Sequence, residues 1–178
     1  GQAGHVPSLR ERGNVAVESL NNSKTTLFNG TVETGLRSLI ILEAFYPRSL
    51  DLEAISLLDY FVVHTADIRG PTSLHPAVSS RVGEYRVRRR TIQDSLQILI
   101  RRNLISSLEA SDGIRFISGD DAPAFIKLLT TDYNKALAER ANWLASHARD
   151  YSNLFSETRA HIEKRTMEFQ FDEGYSIA

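Results

Sequence analysis

Between Glu84 and Asn103 the chain reads EYRVRRRTIQDSLQILIRRN, and its apolar positions Ile92, Leu96, Leu99 and Ile100 recur at intervals of four, three and one. That spacing puts them on one helical face, with Gln93, Asp94, Gln97 and Arg101 opposite. The pattern then changes. Leu104 and Ile105 begin an apolar strand pattern, Asp112-Gly113 is a tight-turn pair, and Ile114, Phe116 and Ser118 alternate on a return strand, which predicts a hairpin. A basic helix followed by such a hairpin reads as the third helix and wing of a winged helix.

Upstream, a first helix is expected from Val32 to Phe45, with Thr31 as cap, Glu33 in the first turn and Pro47 as stop. It is apolar on most sides, so it should be the central buried helix. Gly35 inside it weakens a helix by about 1 kcal/mol relative to alanine, which points to close packing against a neighbour. A second helix is expected from Leu52 to Ala66, capped by Asp51 or Ser49. The stretch Asp67 to Gly83 then breaks the periodicity with Gly70-Pro71 and His75-Pro76. A connection of this length is a candidate functional element.

Downstream, Asp120, Asp121 and Pro123 open a further helix whose three-to-four spacing continues through Leu129, Tyr133, Leu137, Ala141 and Leu144 to Tyr151. One long helix is expected there, then a break near Ser152-Asn153 and a last helix carrying Leu154, Phe155, Ile162 and Phe169. The fold class is therefore mainly α with a small β-hairpin. Residues 1–26 form a flexible N-terminal arm, 27–119 a winged-helix domain, 120–170 a C-terminal helical arm and 171–178 a tail.

At 178 residues and 42% hydrophobic content the chain can bury one domain core with a small helical appendage. A formal charge of −1 gives no bulk field towards nucleic acid or membrane, so any such contact must be local. There is no cysteine, which excludes disulfides, thiolate zinc sites and cysteine nucleophiles. No apolar run reaches the roughly 18 residues of a spanning helix, and no basic-then-apolar export signal is present. The cytoplasm is the expected compartment, with no membrane partner.

No phosphate-cradling G-x-x-x-x-G-K-[ST], no G-x-S-x-G and no H-E-x-x-H occurs, so the expectation is no enzyme, no catalytic residue and no cofactor bound by this chain. His64, Asp67 and His75 are the sharpest metal-ligand constellation, set against a loop pinned by side-chain hydrogen bonds; no metal is expected. Asp59 and Glu43 have no evident partner. The stronger signal is basic: Arg81, Arg86, Arg88, Arg89, Arg90, Arg101 and Arg102 stand against only Glu84 and Asp94 in that segment. Arginine pairs phosphate bidentately, and Gln93 and Gln97 suit adenine. Asp94 in the same face repels phosphate, so an acidic protein partner fits the patch as well as DNA does.

Residues 27 to 105 also resemble the middle component of bacterial three-component ABC ATPase systems. The likeness lies in D-Y-x-x-V-H-T-x-D at Asp59 to Asp67, G-P-x-S-L-H-P at Gly70 to Pro76 and E-Y-x-V-R-R-R at Glu84 to Arg90, and it continues to about residue 145. The resemblance implies a non-catalytic accessory subunit of an SMC- or Rad50-like ATPase in anti-phage or anti-plasmid defence of the Lamassu type. It implies ATP and Mg on that partner ATPase, an effector nuclease, and double-stranded DNA contacted through the complex without sequence preference. It makes Asp59, His64, Asp67, Gly70, Pro71, His75 and Pro76 candidates for a fixed loop at a subunit interface. Two rivals remain: a dimeric winged-helix transcription regulator, and a metal-dependent enzyme built on His64 and His75.

Overall fold

The segment apolar on nearly every side becomes the centre of the molecule. The computed structural model of the protein describes residues 30–76 and 81–148, the backbone alone over 81–87, and positions 156 and 160. The order along the chain is α1 (Thr31–Phe45), β1 (Leu50–Asp51), α2 (Leu52–Val63), a 3-10 turn (Thr65–Ile68), α3 (Arg81–Arg101), β2 (Ile105–Ala110), β3 (Gly113–Ser118), α4 (Ala122–Lys127) and α5 (Asp132–His147). The described residues are mainly helical, with one small antiparallel sheet. Leu39, Ile40, Ile41, Leu42 and Phe45 of α1 are all buried, because α2, α3 and α5 pack around it. A Cβ at Gly35 would lie 3.4 Å from the Cβ of Ser95, so α1 and α3 meet closely at the position where glycine predicted it.

Local signals set most boundaries. Asp51 caps α2 by accepting from the Ala54 amide at 2.7 Å. That helix ends at Val63, three residues short of the expected Ala66, because the chain turns at His64 (φ −124°, ψ 43°) into the 3-10 turn. Helix α3 starts at Arg81 rather than Glu84 and ends before Asn103, whose φ of 57° is the left-handed conformation asparagine tolerates. The cap of α1 is Gly30 rather than Thr31, with no side-chain bond.

The sheet has three strands, ordered β1-β3-β2, where only a hairpin was expected. The hairpin pairs Ala110 with Gly113, and Gly113 takes φ 126°, which favours glycine. Strand β1, two residues long, pairs Leu50 with Phe116. Two residues are too few to show alternation, which is why the pattern hid it. Ser118 at the end of β3 donates to the Glu43 carboxylate of α1, giving Glu43 a partner invisible in the sequence.

The single long helix expected after the hairpin is two. Helix α4 stops at Lys127, and Thr131 starts α5 by accepting from the Asn134 amide at 3.2 Å. The three-to-four spacing runs across the break because both pieces face the same core. Leu137, Ala141 and Leu144 are buried where α5 packs on α1 and α2, so residues 132–147 belong to the core rather than to a projecting arm. The expected N-terminal arm and tail lie outside the described residues, as does the expected last helix apart from positions 156 and 160. Among the described residues no helix is long and apolar enough to cross a membrane.

Candidate functional site

Two of the three segments that carry the resemblance meet at one buried carboxylate. Asp59 of α2 is completely buried, as are Arg37 of α1 and Arg88 of α3, at 0%, 1% and 2% exposure. The Nε of Arg37 donates to Asp59 Oδ1 at 2.8 Å, and an Arg88 terminal nitrogen donates to Oδ2 at 2.8 Å and to the Asp59 carbonyl at 3.3 Å. Burial works to raise the Asp59 pKa, but the two guanidiniums and their hydrogen bonds outweigh it and hold the carboxyl below its ordinary value. Burial likewise opposes the Arg37 charge, and Asp59 reverses that. The cluster ties α1, α2 and α3 together at one point, and removing one member of such a buried pair is strongly destabilising.

A second layer sits beside it. His75 Nε2 lies 2.9 Å from the Tyr133 hydroxyl of α5, and the Tyr133 oxygen also meets the Arg37 guanidinium. Arginine can only donate, so the Tyr133 oxygen accepts from Arg37, which leaves the tyrosine proton available to Nε2 of a neutral His75. Burial, followed by the Arg37 and Arg88 charges, lowers the His75 pKa from 6.5 to about 4. Burial also raises that of Tyr133.

The connection from Thr65 to Pro76 is held from both sides. Leu74 and His75 donate their amides to the Val63 carbonyl at 2.9 and 3.1 Å, and Gly70 donates to Thr65 at 2.9 Å. Thr65 Oγ1 donates to the Pro71 carbonyl at 2.6 Å, and Arg140 of α5 donates to the Thr72 carbonyl at 3.2 Å. Gly70 is pressed so closely under Trp143 that a Cβ there would stand 2.6 Å from its ring. Tyr60 donates to Asp67 at 2.6 Å. The ordered loop is therefore pinned to the end of α2 and to α5.

These positions correct several expectations. Asp59 and His64, expected at a subunit interface, face inward. Arg88, expected to touch DNA or a partner, is spent on Asp59 and does not reach the surface. A periodic pattern assigns it to a basic segment, but its angular position turns it onto α2. Asp67, Gly70, Pro71, His75 and Pro76 stay at or near the surface, with Asp67 engaged by Tyr60 and His75 by Tyr133. No group of three metal-ligating side chains comes together among the described residues. Arg37 was missed altogether. Its signal is one arginine in α1 matched by an aspartate in α2, the two most apolar of the longer helices.

The outer face of α3 carries two rows of exposed residues at four-residue spacing. The first is Arg89, Gln93, Gln97 and Arg101; the second is Arg90, Asp94, Ile98 and Arg102. At 1.5 Å per residue each row is about 18 Å long, with arginine at both ends. Arg89, Arg90, Gln93 and Asp94 surround a shallow surface depression. The side chains of Arg81 and Arg86 lie outside the described residues.

No curated protein matches the chain, and no solved structure does. The family model for the ABC-three component (ABC-3C) system Middle Component 2 matches residues 27–170, which include the Asp59 cluster, the loop and α3. The chain therefore belongs to the Middle Component 2 family of ABC-three component systems, and so to a defence-system subunit that partners ABC ATPase components.

Proposed function

We propose that the chain is a non-catalytic bridging subunit, with no cofactor of its own, of a cytoplasmic SMC- or Rad50-like ATPase complex of the Lamassu type. It docks on the ATPase heads and helps to hold or release an effector nuclease. The observation that carries this reading is the family match over residues 27–170, which supports partnership with an ABC ATPase component. The domain is a winged helix in this reading, supported by the order helix, strand, helix, helix, strand, strand and by the sheet order β1-β3-β2. Helix α3 then takes the place of a recognition helix. Its outer rows hold four exposed arginines, Arg89, Arg90, Arg101 and Arg102, that have no ion-pair partner among the described residues, so they suit DNA phosphates or the carboxylates of a partner. Asp94 in the same face repels phosphate, so any DNA contact falls to the arginines at the ends of the rows and is weak in the isolated chain.

The test is co-expression with the ATPase component of the same system, followed by size exclusion with light scattering. Co-elution as one complex, with weak DNA binding by the isolated chain, is the expected result. A free dimer that binds a palindrome, losing affinity steeply with salt, would replace this reading with a winged-helix transcription regulator.

A further inference from the structure

An apolar groove of about 400 Å³ opens between the first turn of α1 and the C-terminal half of α3. Val32 and Leu36 form one wall, Ile98 and Leu99 the other, and Phe125 of α4 and Leu104 close the end. Gly35 and Ser95 make the floor where the two helices touch. Against about 30 Å³ per water in the liquid, the space admits several large side chains. Val32 is 68% exposed and Ile98 47% exposed, two large apolar residues facing water across one opening. A contiguous patch of this kind on a folded domain marks an interaction site.

The lining determines what can occupy it. Its walls are helices, whose interior amides and carbonyls are already paired. At Leu104 the amide donates to Leu99 at 3.0 Å and the carbonyl accepts from Gly119 at 2.9 Å. An incoming segment therefore finds no strand edge to pair with, only the few unpaired amides at the start of α1, so it must satisfy most of its own backbone, which a helix does and an extended strand does not. The rim is electropositive. Arg102 lines the opening with no ion-pair partner among the described residues, and the first turn of α1 carries no side-chain cap.

We infer that the groove receives an amphipathic helix of the ABC ATPase component, with aliphatic or aromatic anchors three and four residues apart and a carboxylate that meets Arg102. The inference rests on the proposed docking to that ATPase and adds the surface and the chemistry of the contact. It also separates two functions along the second row of α3: Arg90 and Asp94 lie away from the groove, whereas Ile98 and Arg102 line it.

The experiment uses the full chain and the ATPase component, with affinity measured in the absence of DNA. Ile98→Glu and Val32→Glu are expected to weaken binding by about tenfold or more, and Arg102→Glu by about threefold to tenfold. Both apolar positions are exposed, so circular dichroism and Tm should match those of the parent chain. A photo-crosslinker placed at Ile98 should capture a peptide of the ATPase that carries acidic residues among helically spaced apolar ones. Parent binding with unchanged affinity in all three variants overturns the groove and leaves the docking reading standing. No binding by the parent chain removes both. Crosslinks to residues 1–29 of this chain or to a second copy would assign the groove to a different occupant and overturn the inference.

Discussion

The inner surface of α3 around Arg88 and its outer rows from Arg89 to Arg102 are built of the same residue type on the same helix. Arg88 is buried against Asp59, whereas Arg89 and Arg90 are exposed and have no ion-pair partner among the described residues. A rotation of about 100° per residue separates the two situations. Inside, a guanidinium is worth keeping charged only because a carboxylate meets it and its donors are used. Outside, water screens the charge and leaves it available to a phosphate or a carboxylate. One helix therefore serves as a structural clamp on one side and a contact surface on the other.

The largest effect should come from the inner side. Asp59→Ala leaves two guanidiniums facing each other in the core without their carboxylate, and should destabilise the chain by about 3–5 kcal/mol. A fall in Tm on the order of 10 °C, read by thermal melting, is the expected outcome. A change of only a degree or two would mean that the cluster is not the clamp. Gly70→Ala should come next, at about 1–3 kcal/mol, because its Cβ would lie 2.6 Å from the Trp143 ring and 2.9 Å from the fixed Thr65 carbonyl. Shortening Trp143 in the same background should restore part of the loss if crowding is the cause.

Acid should probe the second layer. The unfolded chain protonates His75 near 6.5, whereas the folded chain resists until about 4. Between those values the unfolded state binds more protons, so stability falls as pH falls through the window. Asp59 contributes below it, since its lowered folded value leaves its stabilisation intact above the ordinary 3.8. His75→Gln should flatten the dependence of Tm on pH between 6.5 and 4 relative to the parent chain. An unaltered slope would place the acid sensitivity elsewhere.

The smallest effect on stability, and the largest on function, is expected on the outer side. Arg89→Glu with Arg90→Glu should change stability by no more than about 0.5 kcal/mol. The same pair should sharply reduce DNA-stimulated ATP hydrolysis by the assembled complex. Unchanged stimulation would remove this end of α3 from DNA contact. Arg88 is unsuited to this purpose, because a glutamate there would face Asp59 in the core.

Much of the architecture was legible in particular residues. The spacing of Ile92, Leu96 and Leu99 gave α3, Asp112-Gly113 gave the hairpin, Asp51 gave the start of α2, and Gly35 announced a close helix crossing. All of these are local signals, expressed within one or two turns of chain. The break at Thr131 was less legible, since the apolar spacing continued through it on both sides. Strand β1 was not legible at all, being defined only by its pairing with β3.

The sequence by itself determined which faces of the helices are apolar, where the loop is stiffened and that the basic charge is concentrated in one segment. Only the tertiary structure decided which arginines went inside. Asp59 meets Arg37 from 22 residues away and Arg88 from 29. Periodicity says that a polar residue lies on a buried face, but its partner comes from another helix whose rotation is fixed by packing. That pairing energy exists only once α1, α2 and α3 are in contact, which is why Asp59 and Glu43 looked alike in sequence and occupy different environments in the fold.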